Sequence, residues 1–472
     1  MDEGNLILFV YIKFYKGFRK RGFIMGSWRM RRITPAQIII LGFLFIILSG
    51  AVLLMLPISS KDGTFTPFLD CLFTATSATC VTGLVVFDTY THWSFFGQSV
   101  ILLLIQIGGL GVITTALAIA LFTKRKIGFR ERFVMQESIS APQVSGIVRL
   151  TSFILKATFV LELLGAIVLA IQFLPEYGFR KGLWFSIFHS VSAFCNAGFD
   201  LMGHRGEYSS LVSYVGNPIV TGTIMFLIVA GGLGFFVWKD IKEKKWRVHT
   251  YRLQTKIVVL TTFLLLLLPA IYFFFYEFNQ PQWADLSTKE RILASMFQSV
   301  TPRTAGFNSV DYAAMQSSSI LISICLMLIG GSPGSTAGGF KTTTLAMLVL
   351  CIRSVIQKKE SIQGFGRRIP PEVLRSGVSI FTLYLVLFLT GGTIISCIDG
   401  VSLSSALFES ASAIGTVGLT VGITRDLSDI SHIILILLMY FGRVGGLTMI
   451  YAVTAGHMPS PAQLPQEKIT VG

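Results

Sequence analysis

"FTATSATCVTGL" (Phe73–Leu84) carries no histidine, no acid pair and no metal-ligand spacing, yet the pattern occurs four times. Its counterparts are "FHSVSAFCNAGF" (Phe188–Phe199), "FQSVTPRTAGF" (Phe297–Phe307) and "FESASAIGTVGL" (Phe408–Leu419). Each opens with Phe and a polar residue, holds Ser or Thr in the middle, and ends in Gly followed by Leu or Phe. The third copy is one residue shorter between Phe297 and Gly306. The terminal glycines, Gly83, Gly198, Gly306 and Gly418, are separated by 115, 108 and 112 residues. Self-similarity at so even an interval marks a duplicated architecture.

The surroundings repeat as well. Each copy lies between two apolar runs, at about 37–58 and 94–122, 152–174 and 216–238, 255–276 and 318–352, then 378–398 and 430–452. Runs such as 37–56 and 257–275 match a ~30 Å hydrocarbon core at ~1.5 Å per residue. They lack the polar face of a soluble core helix. The helical piece between them, such as Trp184–Phe194, is too short to span and suits a re-entrant helix. The expected fold is an all-α polytopic membrane protein with four pseudo-symmetric repeats around one central pore. Each repeat reads as helix, pore helix, filter loop, helix. The expected division is a basic amphipathic segment at 1–35, repeats at 36–132, 133–250, 251–360 and 361–454, and a tail at 455–472.

Charge sets the orientation. The net charge of +15 suggests nucleic acid, but 29 of the 39 Lys and Arg fall in 1–35, 123–156, 239–256, 353–375 and the tail. Cytoplasmic loops retain such residues, so both termini are expected inside. A secondary reading of the same loops is a docking surface for anionic membrane lipids or an acidic partner. The six cysteines are scattered without C-x-x-C, which favours neither a disulfide framework nor a zinc site. Residues 1–24 read as an inner-surface segment rather than a signal peptide, with Met25 as an alternative start.

The chemistry expected of the loops is that of backbone. Irregular chain at membrane depth must be buried in protein or line a water path, because unpaired N–H and C=O groups are costly in lipid. Four converging half-helices aim C-terminal ends of about −0.5 charge at a central cavity, which favours a cation. Carbonyls of the loops then replace its hydration shell, and Gly tolerates the dihedrals that aim them inward. The candidate filter residues are Val81, Thr82 and Gly83; Asn196, Ala197 and Gly198; Thr304, Ala305 and Gly306; and Thr416, Val417 and Gly418. Asp88, Asp200, Asp311 and Asp426 follow the glycines, either concentrating cations at an outer mouth or serving as ordinary loop acids. His189 aligns with Thr74, Gln298 and Glu409 and reads as a hydrogen-bonded helix residue rather than a catalytic group.

"GGSPGSTAGGFKTTT" (Gly330–Thr344) cannot remain a regular helix. Its spacing fails the phosphate-binding pattern, so Gly330, Gly331, Ser332, Pro333, Gly334, Ser335, Thr336, Ala337, Gly338, Gly339 and Lys341 are the candidate gate. Related glycine pairs occur in "IGGLGVITTA" from Ile107, "AGGLGFFVWK" from Ala230 and "VGGLTMIYAV" from Val444. For these three, close helix packing is a sufficient explanation. Arg443 lies within an apolar stretch and either faces the conduction path or pairs with a carboxylate. Arg303 is expected to brace the filter from behind, with Glu409 as a plausible partner.

The Gly-ended loops, "SVTPRTAGFNSVD", "GGSPGSTAGGFKT" and "GRVGGLT" together resemble the superfamily of Trk, Ktr and HKT potassium transporters, from about Ile33 onward. No extra helix pair is expected before the first repeat, so the chain is most similar to the bacterial Ktr membrane subunit (KtrB-like). The resemblance implies potassium as substrate, no cofactor in this chain, sodium as a possible activator, and Arg443 as a positive obstruction under the filter. It also implies a homodimer in a bacterial cell membrane, resting on a cytosolic RCK-type ring (KtrA/KtrC-like) that binds nucleotide. Loops 123–132, 239–256 and 353–375 are natural docking surfaces for that ring, and the tail after Thr454 for the dimer. Tetrameric potassium channels use T-V-G-Y-G, whereas one Gly is kept per loop here. Three other classes fit less well. An organic-solute transporter calls for inverted repeats, an enzyme for a nucleophile, metal or acid pair at membrane depth, and a voltage-gated channel for Arg-rich helices.

Overall fold

The computed structural model describes residues 34–111, 114–115, 134, 136, 146–446 and 448–449. Residues 1–33 of the expected segment 1–35, the expected docking loop 123–132 and the tail 455–472 lie outside the described residues.

The first repeat contains α1 (Pro35–Met55), α2 (Phe68–Thr79) and α3 (Phe95–Leu110). The second has one helical run, α4 (Ile147–Phe194), bent at Gly178 (φ 75°, ψ 171°). Pro175 lies three residues earlier and cannot sustain the helix ladder. Thus α4 supplies both the spanning helix and the pore helix. It is followed by α5 (Pro218–Gly232) and α6 (Phe235–Lys244), which meet at 92°. The third repeat has α7 (Leu253–Phe275), α8 (Thr288–Val300), α9 (Ser317–Leu328) and α10 (Thr342–Ile356). A hairpin of β1 (Gln363–Gly364) and β2 (Arg367–Arg368) leads into the fourth: α11 (Pro371–Asp399), α12 (Leu403–Gly415) and α13 (Asp429–Val444).

Among the described residues, the runs Pro35–Met55, Ile147–Phe194, Leu253–Asn279 and Pro371–Asp399 are each long and apolar enough to cross a membrane. Their outward faces keep Leu41, Phe45, Leu164, Phe263 and Leu389 exposed, as a lipid-facing surface requires. Two of the pore helices begin at polar caps: the Ser287–Glu290 capping box opens α8, and Ser402 accepts from the Ser405 N–H at the start of α12. Neighbouring repeats touch through α3 with α4, α5 with α8, α9 with α12, and α13 with α2. That sequence of contacts closes a ring.

Close packing of the second helices onto the pore helices is a repeated device. A Cβ on Gly108 would lie 1.9 Å from the Thr79 carbonyl oxygen, one on Gly231 2.1 Å from that of Phe194, and one on Gly442 2.1 Å from that of Ile414. Each carbonyl stands four residues before one of the repeated motif glycines, Gly83, Gly198 and Gly418. Gly108→Ala is therefore expected to lower the thermal midpoint and yield of the detergent-solubilised protein, by a cost typical of overpacking, about 1–3 kcal/mol. Fluorescence-detected size exclusion after heating measures it.

Two expectations are corrected here. Packing accounts for the glycines only in part, because among the described residues all four second helices also break, at Gly111, Gly234, Gly445 and the Gly-rich segment between α9 and α10. Gly111 (φ 86°, ψ 136°), Gly234 (90°, 139°) and Gly445 (90°, 137°) share one conformation that side chains disfavour. The fourth copy of the glycine pair also lies three residues earlier than the expected "VGGLTMIYAV" from Val444. The packing glycine is Gly442 and the breaking glycine Gly445, so "FGRVG" (Phe441–Gly445) matches "IGGLG" and "AGGLG". Arg443 consequently takes the place held by Gly109 and Gly232.

Candidate functional site: a ring of four backbone loops

The four loops share a backbone path that the sequence does not announce. Two residues before each glycine, a side-chain-bearing residue adopts positive φ: Val81 (52°), Asn196 (58°), Thr304 (63°) and Thr416 (52°). The glycines follow at 95°, 69°, 80° and 94°. The residue between has negative φ in every loop. Such alternating handedness turns successive peptide groups so that their oxygens face one side. Strain at a left-handed non-Gly residue is of order 1–3 kcal/mol and persists only where surroundings over-determine it.

What holds the loop is the hydroxyl in mid-motif. In the first and fourth repeats the Gly83 and Gly418 N–H groups each donate to Ser77 Oγ and Ser412 Oγ at 3.0 Å. In the second and third, Ser192 Oγ and Thr301 Oγ1 instead donate to the Phe199 and Phe307 carbonyls at 2.7 and 2.6 Å. The main-chain oxygens of the same four residues accept from Thr82, Ala197, Ala305 and Val417 N–H at 2.8–3.0 Å. The residue lost from the third copy lies between this hydroxyl and the glycine, and the fastening survives its loss.

The glycines close the ring. A Cβ on Gly83 would meet the Ala197 carbonyl oxygen at 2.5 Å, one on Gly198 that of Ala305 at 2.8 Å, one on Gly306 that of Val417 at 2.4 Å, and one on Gly418 that of Thr82 at 2.1 Å. Each repeat thus contacts the next, and the fourth contacts the first. All twelve candidate filter residues meet here, buried, at the pore-helix C-termini.

The Gly-rich segment lies under this ring. A Cβ on Gly338 would fall 2.0 Å from Thr416 Oγ1, and Thr336 Oγ1 donates to the Phe194 carbonyl at 3.0 Å. The segment leaves α9 and returns to α10 beside itself, with Gly330 N–H donating to Phe340 O at 2.9 Å and Thr342 N–H to Gly331 O at 3.2 Å. Across to the second repeat, Ser332 N–H donates to Gly232 O at 2.9 Å and Phe235 N–H to Gly334 O at 2.8 Å. Lys341 Nζ donates to the Ala337 and Gly338 carbonyls at 2.8 and 3.3 Å. Arg443 donates to the Thr336 and Gly108 carbonyls, and to Gly109 O at 3.1 Å.

A family model for TrkH, a cation transport protein, matches residues 25–464. The chain belongs to the TrkH family of cation transport proteins. It is a transport protein and not an enzyme. Potassium/sodium uptake protein NtpJ of Enterococcus hirae is 41% identical over 455 residues, 95% of this chain and 100% of the relative. Ktr system potassium uptake protein B of Bacillus subtilis is 38% identical over 422 residues (89% and 93%), and that of Vibrio alginolyticus 35% over 439 (92% and 94%). The crystal structure of the potassium transporter TrkH from Vibrio parahaemolyticus superposes with a TM-score of 0.72 at 17% identity, covering 96% of this chain and 92% of that one. At that identity the likeness shows the fold alone.

Within this TrkH-family ring, several side chains have duties other than those expected. Glu409 does not pair with Arg303. Its carboxylate accepts from Thr420 Oγ1 at 2.5 Å, Thr424 Oγ1 at 2.7 Å and Val421 N–H at 3.2 Å. The Arg303 side chain is 6% exposed, its Nε has no hydrogen-bond partner, and it lines a small cavity with Ile228, Val229, Gly232, Leu266 and Val300. Arg443 meets carbonyls rather than a carboxylate. Of the outer acids, Asp88 is buried and accepts from the Tyr90, Thr91 and Tyr208 N–H groups. Asp311 caps a short turn through Ala313 N–H, Asp200 accepts from Met202 N–H, and Asp426 is exposed beside Arg425.

In three of the four repeats, the aligned polar position after the motif Phe is a brace. His189 accepts from Leu201 N–H at 3.3 Å, Gln298 Nε2 donates to Ser309 Oγ at 3.3 Å, and Glu409 accepts from Val421 N–H. Leu201, Ser309 and Val421 each stand three residues beyond a filter glycine. In the first repeat Thr74 is too short and bonds its own helix at Asp70 O. Alignment of the four copies exposed this position in the sequence, but its reach across the loop required the fold. Glu409→Ala leaves three donors without their acceptor, a cost of about 1–3 kcal/mol for each buried group so stranded. We expect a lower thermal midpoint in detergent, with Glu409→Gln recovering most of it.

Proposed function

We propose that this chain is the ion-translocating subunit of a potassium uptake system of the Ktr type in a bacterial cell membrane, with both termini cytoplasmic. Cyclic contact of Gly83, Gly198, Gly306 and Gly418 with the neighbouring loops' carbonyls is the observation that carries this reading. Four carbonyl oxygens in that cycle, at the negative ends of four pore helices, supply a dehydrated cation with the ligands that water supplied outside. Potassium is the substrate class named for the relatives above, and sodium is a candidate activator or second cation. Gly330–Lys341 acts as the gate beneath the filter, with Arg443 as its tether and electrostatic barrier.

The chain functions as a homodimer on a nucleotide-binding RCK-type ring. The basic surfaces at 239–256 and 353–375 support that docking by charge, and relatives named as parts of a Ktr system support the multi-subunit arrangement. No nucleic acid is involved, and the charged loops outside the ring contacts rest against membrane lipids.

The test is uptake of K⁺ or Rb⁺ by potassium-depleted bacterial cells that lack their own uptake systems, with and without Na⁺ and with a co-expressed Ktr-type ring. Uptake that depends on the expressed chain is the expected result. Wild-type protein present in the membrane at normal levels with the ring, yet transporting neither ion, overturns the reading.

A further inference from the structure

One carboxylate behind the filter is unused by the transport reading. Glu162, on the first half of α4, is 5% exposed. Gln106 Nε2, from α3, donates to its two oxygens at 3.1 and 3.3 Å. Cys195 Sγ, which immediately precedes filter residue Asn196, donates to Oε1 at 3.8 Å. The Glu162 main-chain oxygen accepts from Ser190 Oγ on the pore helix at 2.6 Å. The carboxylate therefore sits against the base of the second filter loop.

Its surroundings contain no counter-ion among the described residues. The two helices packed on this part of the repeat, α3 and α5, have no ionisable side chain anywhere along their length. The pore helix carries Arg180 and Lys181 exposed at its start, and its buried part and end contribute Cys195 and His189. The His189 ring is committed to Phe185 O and Leu201 N–H. The cation approaching from α13 is Arg443, which donates to the Gly108 and Gly109 carbonyls, just beyond Gln106. A Cβ on Gly109 would lie 2.6 Å from Cys195 Sγ. Cys195 is thus flanked by Glu162 on one side and by the turn that anchors Arg443 on the other.

The carboxylate also breaks the four-fold pattern. Ser190 bonds the Glu162 carbonyl as Ser410, at the same motif position, bonds that of Phe388 at 2.8 Å. Three residues before the packing glycine of the first helix stand Ile47 (before Gly50), Glu162 (before Gly165) and Phe388 (before Gly391). Ile47 and Phe388 are buried and apolar. A packing role is met by those two residues, so a carboxylate with a polar companion in Gln106 needs another account.

A buried carboxylate bonded only by neutral donors is costly to ionise. A cation in the adjacent filter lowers that cost, and reciprocity then requires the ionised carboxylate to raise the filter's cation affinity. We propose that Glu162 is a proton-linked positioning residue that sets the cation affinity of the filter, protonated when the filter is empty and ionised when it is filled. It acts through space and through Cys195, without touching the ion. The inference rests on the filter reading of the four loops.

The experiment measures initial K⁺ uptake against K⁺ concentration by the full-length protein in proteoliposomes, over a series of pH values. The wild-type KM is expected to fall as pH rises, by roughly tenfold across the transition, within the usual span of coupling between two sites. Glu162→Gln keeps the shape and removes the ionisable group. Its KM is expected to stay at the wild-type acid value at every pH, whereas Glu162→Asp keeps a pH-dependent KM. A Glu162→Gln KM that tracks the wild type across the series overturns the inference. Should Glu162→Gln fail to fold, Gln106→Leu removes the amide that favours the ionised form. Its transition is expected at higher pH than the wild type's, and an unmoved transition overturns the inference. The two readings fail separately: intact K⁺ over Na⁺ selectivity in Gly306→Ser removes the filter assignment. Lost selectivity there, beside a Glu162→Gln protein identical to wild type, removes only Glu162.

Discussion

Gly306→Ser is expected to abolish discrimination between K⁺ and Na⁺ while leaving the protein in the membrane. Two costs coincide at this position. The backbone has φ +80°, where an L side chain is strained, and the new Cβ would stand 2.4 Å from the Val417 carbonyl oxygen. That oxygen belongs to the neighbouring filter loop, so relief comes only by moving one loop away from another. The strain is about 1–3 kcal/mol, which corresponds to roughly a 5- to 150-fold loss in preference for the ion that the undistorted ring fits. Parallel K⁺ and Na⁺ uptake in potassium-depleted cells, normalised to membrane-embedded protein, measures it. Wild-type selectivity in a well-expressed variant would remove Gly306 from the filter and with it the four-loop argument.

Arg443→Gln is expected to raise K⁺ flux in the absence of any regulatory partner. The guanidinium holds the Gly-rich segment at Thr336 O and the end of α3 at Gly108 O and Gly109 O. It is also a positive charge at a position where the first two repeats have glycine. A unit charge within about 8 Å of a passing cation, at an effective dielectric of ~20, opposes it by roughly 2 kcal/mol. Flux into proteoliposomes is therefore expected to rise by an order of magnitude or more. Arg443→Lys separates the two contributions: it keeps the charge and loses the forked donor. Low flux in Lys with high flux in Gln assigns the barrier to charge, whereas high flux in both assigns it to the tether. A fall in flux for Gln, at wild-type protein levels, would mean that Arg443 supports an open path instead.

Much of the site was legible because duplication makes weak signals add. A single Gly after a short helix is an ordinary cap, but four at matched intervals on matched scaffolds identified the loops. The same logic failed where one copy diverged. In the fourth repeat Arg443 replaces a glycine, so "FGRVG" was passed over for the adjacent "VGG", and the register slipped by three residues. Of the left-handed residues, Asn196 is of a type that tolerates positive φ, but Val81, Thr304 and Thr416 left no trace. Val and Thr are among the least expected residues at positive φ, and their conformation is imposed by the ring. Opposite charge alone suggests an Arg303–Glu409 pairing, which the fold does not make. Glu409 is instead satisfied by three donors of its own repeat within fifteen residues of chain.

By itself, then, the sequence determined the membrane class, the four-fold repeat, and which backbone segments lie at the centre. These follow from hydrophobic length, interval and glycine placement, all properties of local chain. Only the tertiary structure decided which loop touches which, that the other three second helices break as the Gly-rich one does, and that Arg443 binds carbonyls. It also placed Glu162 against Cys195, across 33 residues of chain. Closure of a ring, and the partner of a buried charge, depend on groups that meet only when distant segments pack, and no local pattern encodes that meeting.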